Sequence, residues 1–250
     1  MRRLEHQTLN DRAYGALKKG LMSGQFRPGE VLTIRHLAAE YGISATPVRE
    51  ALQRLVAERA LELQRNRSIG VPIPTLEKFV ELRRIRCLLE GLASELATPH
   101  FRSTDIARLA RIIEEIDVDI ATHNPAGYLR RNEKFHFLIF ERARSPQMLR
   151  IIQDLWTQVG PFFNSLFEDR SYLAEANDGH RKIIAAIRSG DPAAVRDAVV
   201  WDIGEAAESL MQRLPEMNAP AAEGKTRGRA ARTGRASRTS ARRRRRAAAE

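Results

Sequence analysis

Cysteine and long apolar segments are both scarce in this sequence. Cys87 is the only cysteine among 250 residues, which excludes an internal disulfide and any zinc site built from Cys-x-x-Cys pairs. The longest stretch without a charged residue covers residues 155–167, too short for a bilayer span of about 20 residues. The first ten residues contain Arg2, Arg3 and Glu5 rather than an apolar signal core. We therefore expect a cytoplasmic protein with no membrane partner.

Positive charge is concentrated at one end of the chain. The formal net charge is +11, and from Ala219 onward there are eleven Lys and Arg residues and only two Glu residues. That segment carries +9 and has no large apolar residue, so we expect residues 216–250 to be a disordered basic tail. Because the rest of the chain is nearly neutral, any nucleic-acid affinity of the folded part must come from a local patch.

Pro72 and Pro74 mark a domain boundary, since neither can continue a helix. We expect one domain over residues 1–73 and an antiparallel all-α bundle over residues 74–215, where the apolar spacing is helical. Interruptions that divide this bundle into about six helices lie near Pro99, Pro125, Pro146, Arg170 and residues 190–192, with a kink or break at Gly160-Pro161. The predicted inward stripe of its first helix is Phe79, Leu82, Ile85, Leu89, Leu92 and Leu96.

A helix-turn-helix is predicted inside the first domain. Thr33 can cap a short helix, residues 41–44 form a tight turn, and a second helix starts between Ser44 and Pro47. Residues of the second helix that face inward at helical spacing are Val48, Ala51, Leu52 and Leu55. The start of this helix, at Ser44, Ala45 and Thr46, and the side chain of Arg49 are then left for a DNA major groove.

Two short strands follow the second helix. Residues 61–63 and 69–71 alternate in polarity around residues 65–68, whose cationic tip is placed to contact phosphates or a minor groove. The predicted fold is therefore mainly α, with an N-terminal winged helix-turn-helix and a C-terminal antiparallel all-α bundle. From the pattern alone, a small helical domain with an ordinary charged hairpin remains an alternative.

The same segment resembles the DNA-binding domain of the GntR family. Matching residues are Pro28-Gly29-Glu30, Leu32, Arg35, Leu37-Ala38, Tyr41-Gly42, Ser44, Thr46-Pro47-Val48-Arg49-Glu50-Ala51-Leu52, Leu55 and Glu58. The residues that we expect to contact DNA are Arg35, Ser44, Ala45, Thr46, Pro47, Arg49, Arg65, Asn66 and Arg67. The resemblance implies this role for all of them except Ala45 and Pro47. Two residues depart from the pattern, because Arg59 stands where many members carry glycine and Asn66 stands at the wing tip where some do. Since asparagine tolerates a left-handed backbone, we expect the turn at Asn66 to survive.

Polar residues are directed toward the core of the helical bundle. Asn132 and His136 lie four apart on one helix face, His180 precedes an apolar run, and Asp202 stands between Trp201 and Ile203. Imidazole nitrogens with carboxylate and amide oxygens form a donor set suited to a divalent metal. The alternative is that these groups only satisfy one another by hydrogen bonds in the core.

Residues 75–213 resemble the C-terminal ligand-binding FCD domain of the FadR subfamily. Matching residues are Arg83, Arg86, Leu89-Glu90, Ala93, Phe135-His136, His180 and Gly190-Asp191. The resemblance implies a metal set of Asn132, His136 and His180, with Asp202 in place of the usual third histidine, for zinc, manganese or nickel. The expected effector site is Arg86, Asn132, His136 and His180. Arg86 either anchors a carboxylate or forms an ion pair with Glu90.

Together these features predict a ligand-responsive transcriptional regulator. We expect a homodimer on double-stranded operator DNA, with recognition helices about 34 Å apart, acting as a repressor that a small carboxylate metabolite releases. Such a protein is nucleoid-associated. Two alternatives stay open: a metal-dependent enzyme that uses His136, His180 and Asp202, and a non-specific nucleoid-binding protein that acts through the basic tail.

Overall fold

The computed structural model describes residues 8–167 and 170–217. The N-terminal elements are α1 (Leu9–Met22), β1 (Val31–Leu32), α2 (Ile34–Tyr41), α3 (Ala45–Ala57), β2 (Glu62–Leu63) and β3 (Ile69–Gly70). The later helices are α4 (Leu76–Ala97), α5 (Ser103–Ala121), α6 (Pro125–Phe140), α7 (Pro146–Val159), α8 (Phe163–Leu166), α9 (Arg170–Ser189) and α10 (Pro192–Met217). Short 3-10 turns cover Thr98–His100, Glu141–Ala143 and Gly160–Phe162. Residues 218–250 of the predicted basic tail lie outside the described residues.

The N-terminal elements enclose their own hydrophobic core. All three helices contribute buried side chains to it, among them Leu17, Leu21, Leu37, Val48, Leu52 and Leu55. A three-stranded antiparallel sheet in the order β1-β3-β2 closes one side. The sequence predicted the β2–β3 pair; it did not predict β1, which has only two residues.

Local sequence explains where these helices begin and end. α1 starts with a capping box, in which Thr8 Oγ1 accepts from the Asp11 N–H and the Asp11 carboxylate accepts from the Thr8 N–H. α2 ends at Gly42, whose φ of 64° is left-handed and suits a residue without Cβ. The Ile43 N–H then donates to Ala38 O over 3.1 Å. This tight end turns the chain directly into α3, as the helix-turn-helix prediction required.

α4 to α10 form a helical bundle with a second hydrophobic core. α10 runs antiparallel along α4, with Val200 close to Gly91 and Gly204 close to Arg83. The predicted breaks are present, and the predicted interruption at Gly160-Pro161 is a 3-10 turn followed by the one-turn α8. Among the described helices, none combines the length and apolar character needed to cross a bilayer.

The predicted inward stripe of α4 is wrong at its C-terminal end. Leu92 and Leu96 are 41% and 44% exposed, and the neighbouring Leu88 is 74% exposed. The buried face instead carries Arg86, Glu90, Gly91, Ala93, Ser94 and Ala97. Small residues allow α10 to approach α4 closely, and a paired Arg and Glu can be buried together, so the apolar leucines are turned outward.

Candidate functional site

The start of α3 presents the predicted DNA-contacting residues on the surface. Ser44 is the N-cap, and Ser44, Ala45, Thr46 and Arg49 are all exposed. Within the part of the chain that the structure describes, Arg49 has no ion-pair partner. Pro47 differs from the others because it is buried, so its ring shapes the first turn of the helix rather than facing outward. The buried side of α3 fixes the helix against α1 and α2, which leaves the Arg49 side free.

The other predicted DNA-contacting residues are exposed as well. Arg35 lies on α2, and Arg65, Asn66 and Arg67 form the tip of the β2–β3 hairpin. At this tip the Asn66 carboxamide oxygen accepts from the Ser68 N–H over 3.0 Å, which stabilises the turn. Arg67, not Asn66, has the left-handed backbone, with a φ of 62°. The turn forms as predicted, but Asn66 supports it through its side-chain hydrogen bond and not through a left-handed backbone.

Arg59 also has a left-handed backbone, with a φ of 60°. Its N–H donates to Val56 O over 3.0 Å immediately after α3 ends. A non-glycine residue in this region is strained. Glycine adopts this backbone without that cost, so Arg59 is a strained departure from the pattern.

Three helices bring the predicted metal-ligating residues together inside the bundle. His136 of α6 and His180 of α9 are 4% and 2% exposed, and their Nε2 atoms are 3.3 Å apart. Asp202 of α10 places Oδ2 3.5 Å from His136 Nε2. A Cβ at Gly179 would lie 2.1 Å from Asp202 Oδ1, so glycine beside His180 leaves room for this carboxylate. Ligand atoms of the three residues all lie within 4.8 Å of one another.

Asn177 orients this cluster and was missed by the sequence analysis. Its side chain is buried, and its Oδ1 lies 2.8 Å from His180 Nδ1. Its Nδ2 donates to Ile113 O over 3.2 Å and to Asp117 Oδ1 over 2.7 Å. Because Nδ2 is used as a donor, Oδ1 must accept from His180 Nδ1–H. His180 Nε2 is then left with its lone pair directed toward His136.

Burial controls the protonation of all three groups. Desolvation lowers the pKa of His180 to about 3 and moves the pKa of His136 well below its ordinary value, with a further contribution from His180. Desolvation also raises the pKa of Asp202 to about 7, against the opposing charge of Arg86. Both imidazoles are therefore neutral at physiological pH, which is the form that ligates metals.

The donor set fits a divalent ion. A tetrahedral zinc site with bonds of about 2.0–2.1 Å holds its ligand atoms about 3.3–3.4 Å apart. The separations of 3.3 Å and 3.5 Å that His136 makes with His180 and Asp202 are close to that spacing. The Nδ1 atom of His136 is buried without a hydrogen-bond partner among the described residues. The cluster is therefore capable of holding a metal, and the Asn177 amide already holds the His180 ring in place.

A small cavity adjoins these residues. Its volume is about 20 Å³, enough for one water molecule or ion. Residues on its wall include Arg86, Tyr128, Asn132, His136, Trp156, Phe163, Leu166 and Asp202. Asn132, predicted as a ligand, thus reaches the cavity. The Nε1 atom of Trp156 is a buried donor without a partner in the described part of the chain.

Arg86 forms the ion pair that the sequence left as an alternative. Its Nε donates to Glu90 Oε1 over 2.6 Å and its Nη2 donates to Oε2 over 3.2 Å, with both side chains buried. The guanidinium also lies over the Trp156 ring at 5.3 Å. Arg86 therefore contributes to the cavity wall while its fork is held by Glu90.

Comparison with known proteins agrees with both halves of this description. The model "Bacterial regulatory proteins, gntR family" matches residues 9–71, and the FCD domain model matches residues 81–201. The HTH-type transcriptional regulator McbR of Escherichia coli (strain K12) is 30% identical over 191 residues, which cover 76% of this chain and 86% of that protein.

One further relative and a solved structure of McbR point the same way. The gluconate operon transcriptional repressor of Bacillus subtilis (strain 168) is 27% identical over 186 residues, covering 71% of this chain and 74% of the repressor. The solved structure of E. coli McbR/YncC has a TM-score of 0.76 at 28% identity, over 83% of this chain and 99% of that one. These relatives are regulators, so the metal-dependent enzyme considered from the sequence is set aside. The chain belongs to the GntR family of bacterial regulatory proteins, with a C-terminal FCD domain, and is a transcriptional regulator.

Proposed function

We propose that this regulator is a repressor that binds operator DNA through α3 and the wing and is released by a small organic acid bound in the helical domain. The single observation that carries the DNA-binding part is the exposed Arg49, which has no ion-pair partner among the described residues and lies on a helix whose opposite face is buried. In this arrangement α3 enters the major groove, and the bases are contacted by Arg49 and by residues at the start of the helix. Arg35 and the wing residues Arg65, Asn66 and Arg67 contact phosphates.

A divalent metal, zinc, manganese or nickel, is part of the proposed effector site. His136, His180 and Asp202 would hold it, with Asn132 on the cavity wall as a further oxygen donor. The ion would supply a Lewis-acid attachment point for an effector carboxylate. Asn177 keeps the His180 ring in the tautomer that binds metal, and Glu90 holds Arg86 beside the cavity as a fixed positive charge.

The proposed effector is a carboxylate because the cavity wall carries the Arg86 guanidinium and a buried indole N–H beside the residues that would hold the metal. Trp156 Nε1–H is buried and unpaired among the described residues, so an oxygen atom of the effector would remove a desolvation cost of about 1–3 kcal/mol. The cavity holds about one water molecule, so an organic acid enters only if the surrounding side chains separate. Binding therefore changes the packing of the bundle, which a repressor can use as its signal.

A homodimer is the proposed functional unit. Leu88, Leu92 and Leu96 recur every four residues on α4 and are exposed, and a continuous apolar ridge of this kind is typical of a subunit contact. In our scheme the DNA-binding domain is residues 1–73, the ligand-binding and dimerisation domain is residues 74–215, and residues 216–250 are a cationic arm that adds sequence-independent DNA affinity. This places the protein at the nucleoid of the cytoplasm.

Selection of duplexes from a random library with the purified full-length protein tests this proposal. We expect an enriched palindrome whose half-sites are about one helical turn, roughly 34 Å, apart. Organic acids found by thermal-shift screening with Zn²⁺ should then weaken binding by about 5–150-fold. Failure to enrich any motif would contradict operator binding, and a motif whose affinity no acid changes would contradict release by an organic acid.

A further inference from the structure

The end of α1 rests directly on the segment that joins α7 to α8. Lys18 Nζ of α1 donates to Asp154 Oδ1 of α7 over 2.6 Å. After α1 ends, Gly24 O accepts from Asn164 Nδ2 of α8 over 2.5 Å. The DNA-binding elements and the helical bundle are thus joined by side-chain contacts on both sides of the Gly160–Phe162 turn.

The backbone of Gly160 lies close to the end of α1. A Cβ at this position would lie 2.3 Å from Leu21 O and 2.6 Å from Met22 O, both backbone atoms of α1. The φ of Gly160 is −53°, a conformation open to any residue. The glycine is therefore required by the contact with α1, not by its own backbone.

The same turn is hydrogen-bonded to the cavity wall. The Gly160 N–H donates to Trp156 O, and Gly160 O accepts from the Phe163 N–H. The side chains of Trp156 and Phe163 both line the cavity, and both are buried. Each of these residues is joined to Gly160 by one backbone hydrogen bond. A displacement of either ring therefore shifts Gly160, on which α1 rests, because a packed core cannot absorb such a change locally.

We propose that the segment from Trp156 to Asn164 couples the cavity to the DNA-binding domain, with Gly160 and Asn164 as its positioning residues. The inference rests on the proposed ligand-responsive DNA binding and names the element that transmits the response. Coupling between two sites is reciprocal. DNA bound at α3 must therefore alter the α7–α8 segment even when the cavity holds no effector, which allows a test that uses DNA as its only probe.

Hydrogen–deuterium exchange of the full-length protein, with and without the selected operator duplex, measures this link. In the wild type, we expect exchange over residues 156–166 to slow by about fivefold or more relative to α5, which carries no residue of the proposed effector site and is the internal reference. In Gly160→Ala, the duplex should still bind selectively, but the slowing over residues 156–166 should be lost. The matched control is Gly204→Ala, whose added Cβ meets only Arg83 Nη2 at 3.5 Å, and it should behave as the wild type.

Asn164→Asp provides a second variant in case Gly160→Ala does not fold. A carboxylate cannot donate to Gly24 O, so this variant should also lose the operator-dependent slowing. A wild type that binds the duplex without slowing, or a folded Gly160→Ala that keeps the slowing, overturns the inference and leaves the proposed function standing. A wild type that selects no duplex removes the proposed function and the inference together.

Discussion

Replacing Asn177 with alanine should weaken metal binding without removing a metal ligand. Asn177 Oδ1 accepts the proton of His180 Nδ1 over 2.8 Å, and this bond leaves Nε2 free to coordinate. Loss of such an outer contact typically costs 10–100-fold in metal affinity, which corresponds to about 1.4–2.7 kcal/mol. The metal-free protein should also lose about 1–3 kcal/mol of unfolding free energy, because a buried N–H is left without an acceptor.

Competition for Zn²⁺ against a chromophoric chelator gives the affinity, and thermal unfolding in EDTA gives the stability. Asp178→Ala is the matched control. It lies next to Asn177 on α9, is exposed, and forms an ion pair with the exposed Arg181 at 3.0 Å; this substitution should change zinc affinity less than about threefold. A zinc affinity of Asn177→Ala within twofold of the wild type would show that the His180 ring is oriented by something other than this amide.

Three other predictions concern stability, assembly and the tail. Arg59→Gly should stabilise the protein by about 0.5–1 kcal/mol, since it relieves left-handed strain of about 1–2 kcal/mol at an entropic cost of about 0.5–1 kcal/mol; a lower melting temperature would contradict this. Leu92→Glu should convert the dimer to monomer in analytical ultracentrifugation, whereas the same change at the exposed Val118 of α5 should not. Truncation after residue 217 should flatten the salt dependence of DNA binding and keep site preference; an unchanged slope would remove the proposed role of the tail.

The helix-turn-helix could be predicted because its determinants are close together in the sequence. Gly42 ends α2, Ser44 occupies the N-cap position of α3, and apolar residues at helical spacing fix which side of α3 is buried. The breaks between the bundle helices follow from proline and glycine in the same way. The histidine pair was also predictable, since His136 and His180 stand on apolar helix faces.

Other features depend on contacts between distant segments. Leu92 and Leu96 point outward because α10 approaches α4 closely at Gly91. The spacing of apolar residues within α4 does not predict that approach. Asn177 lies beside His180 on α9, but its role follows from its bonds to Ile113 and Asp117 of α5. In the hairpin, Arg67 rather than Asn66 has the left-handed backbone. The place of a residue within the turn, and not its residue type, decides which φ is positive.

The most direct test of the account is the specificity of Arg49→Ala for the selected operator. We compare its affinity for the operator and for an unrelated duplex with those of Arg54→Ala, which removes the same charge from α3. Arg54 is held by Glu58 at 3.0 Å and stacks on Tyr14 at 3.7 Å, so it is not available to bases. The account predicts that Arg49→Ala loses about 1–3 kcal/mol of discrimination, whereas Arg54→Ala weakens both duplexes equally. Full discrimination in Arg49→Ala would contradict the claim that α3 reads DNA through this side chain.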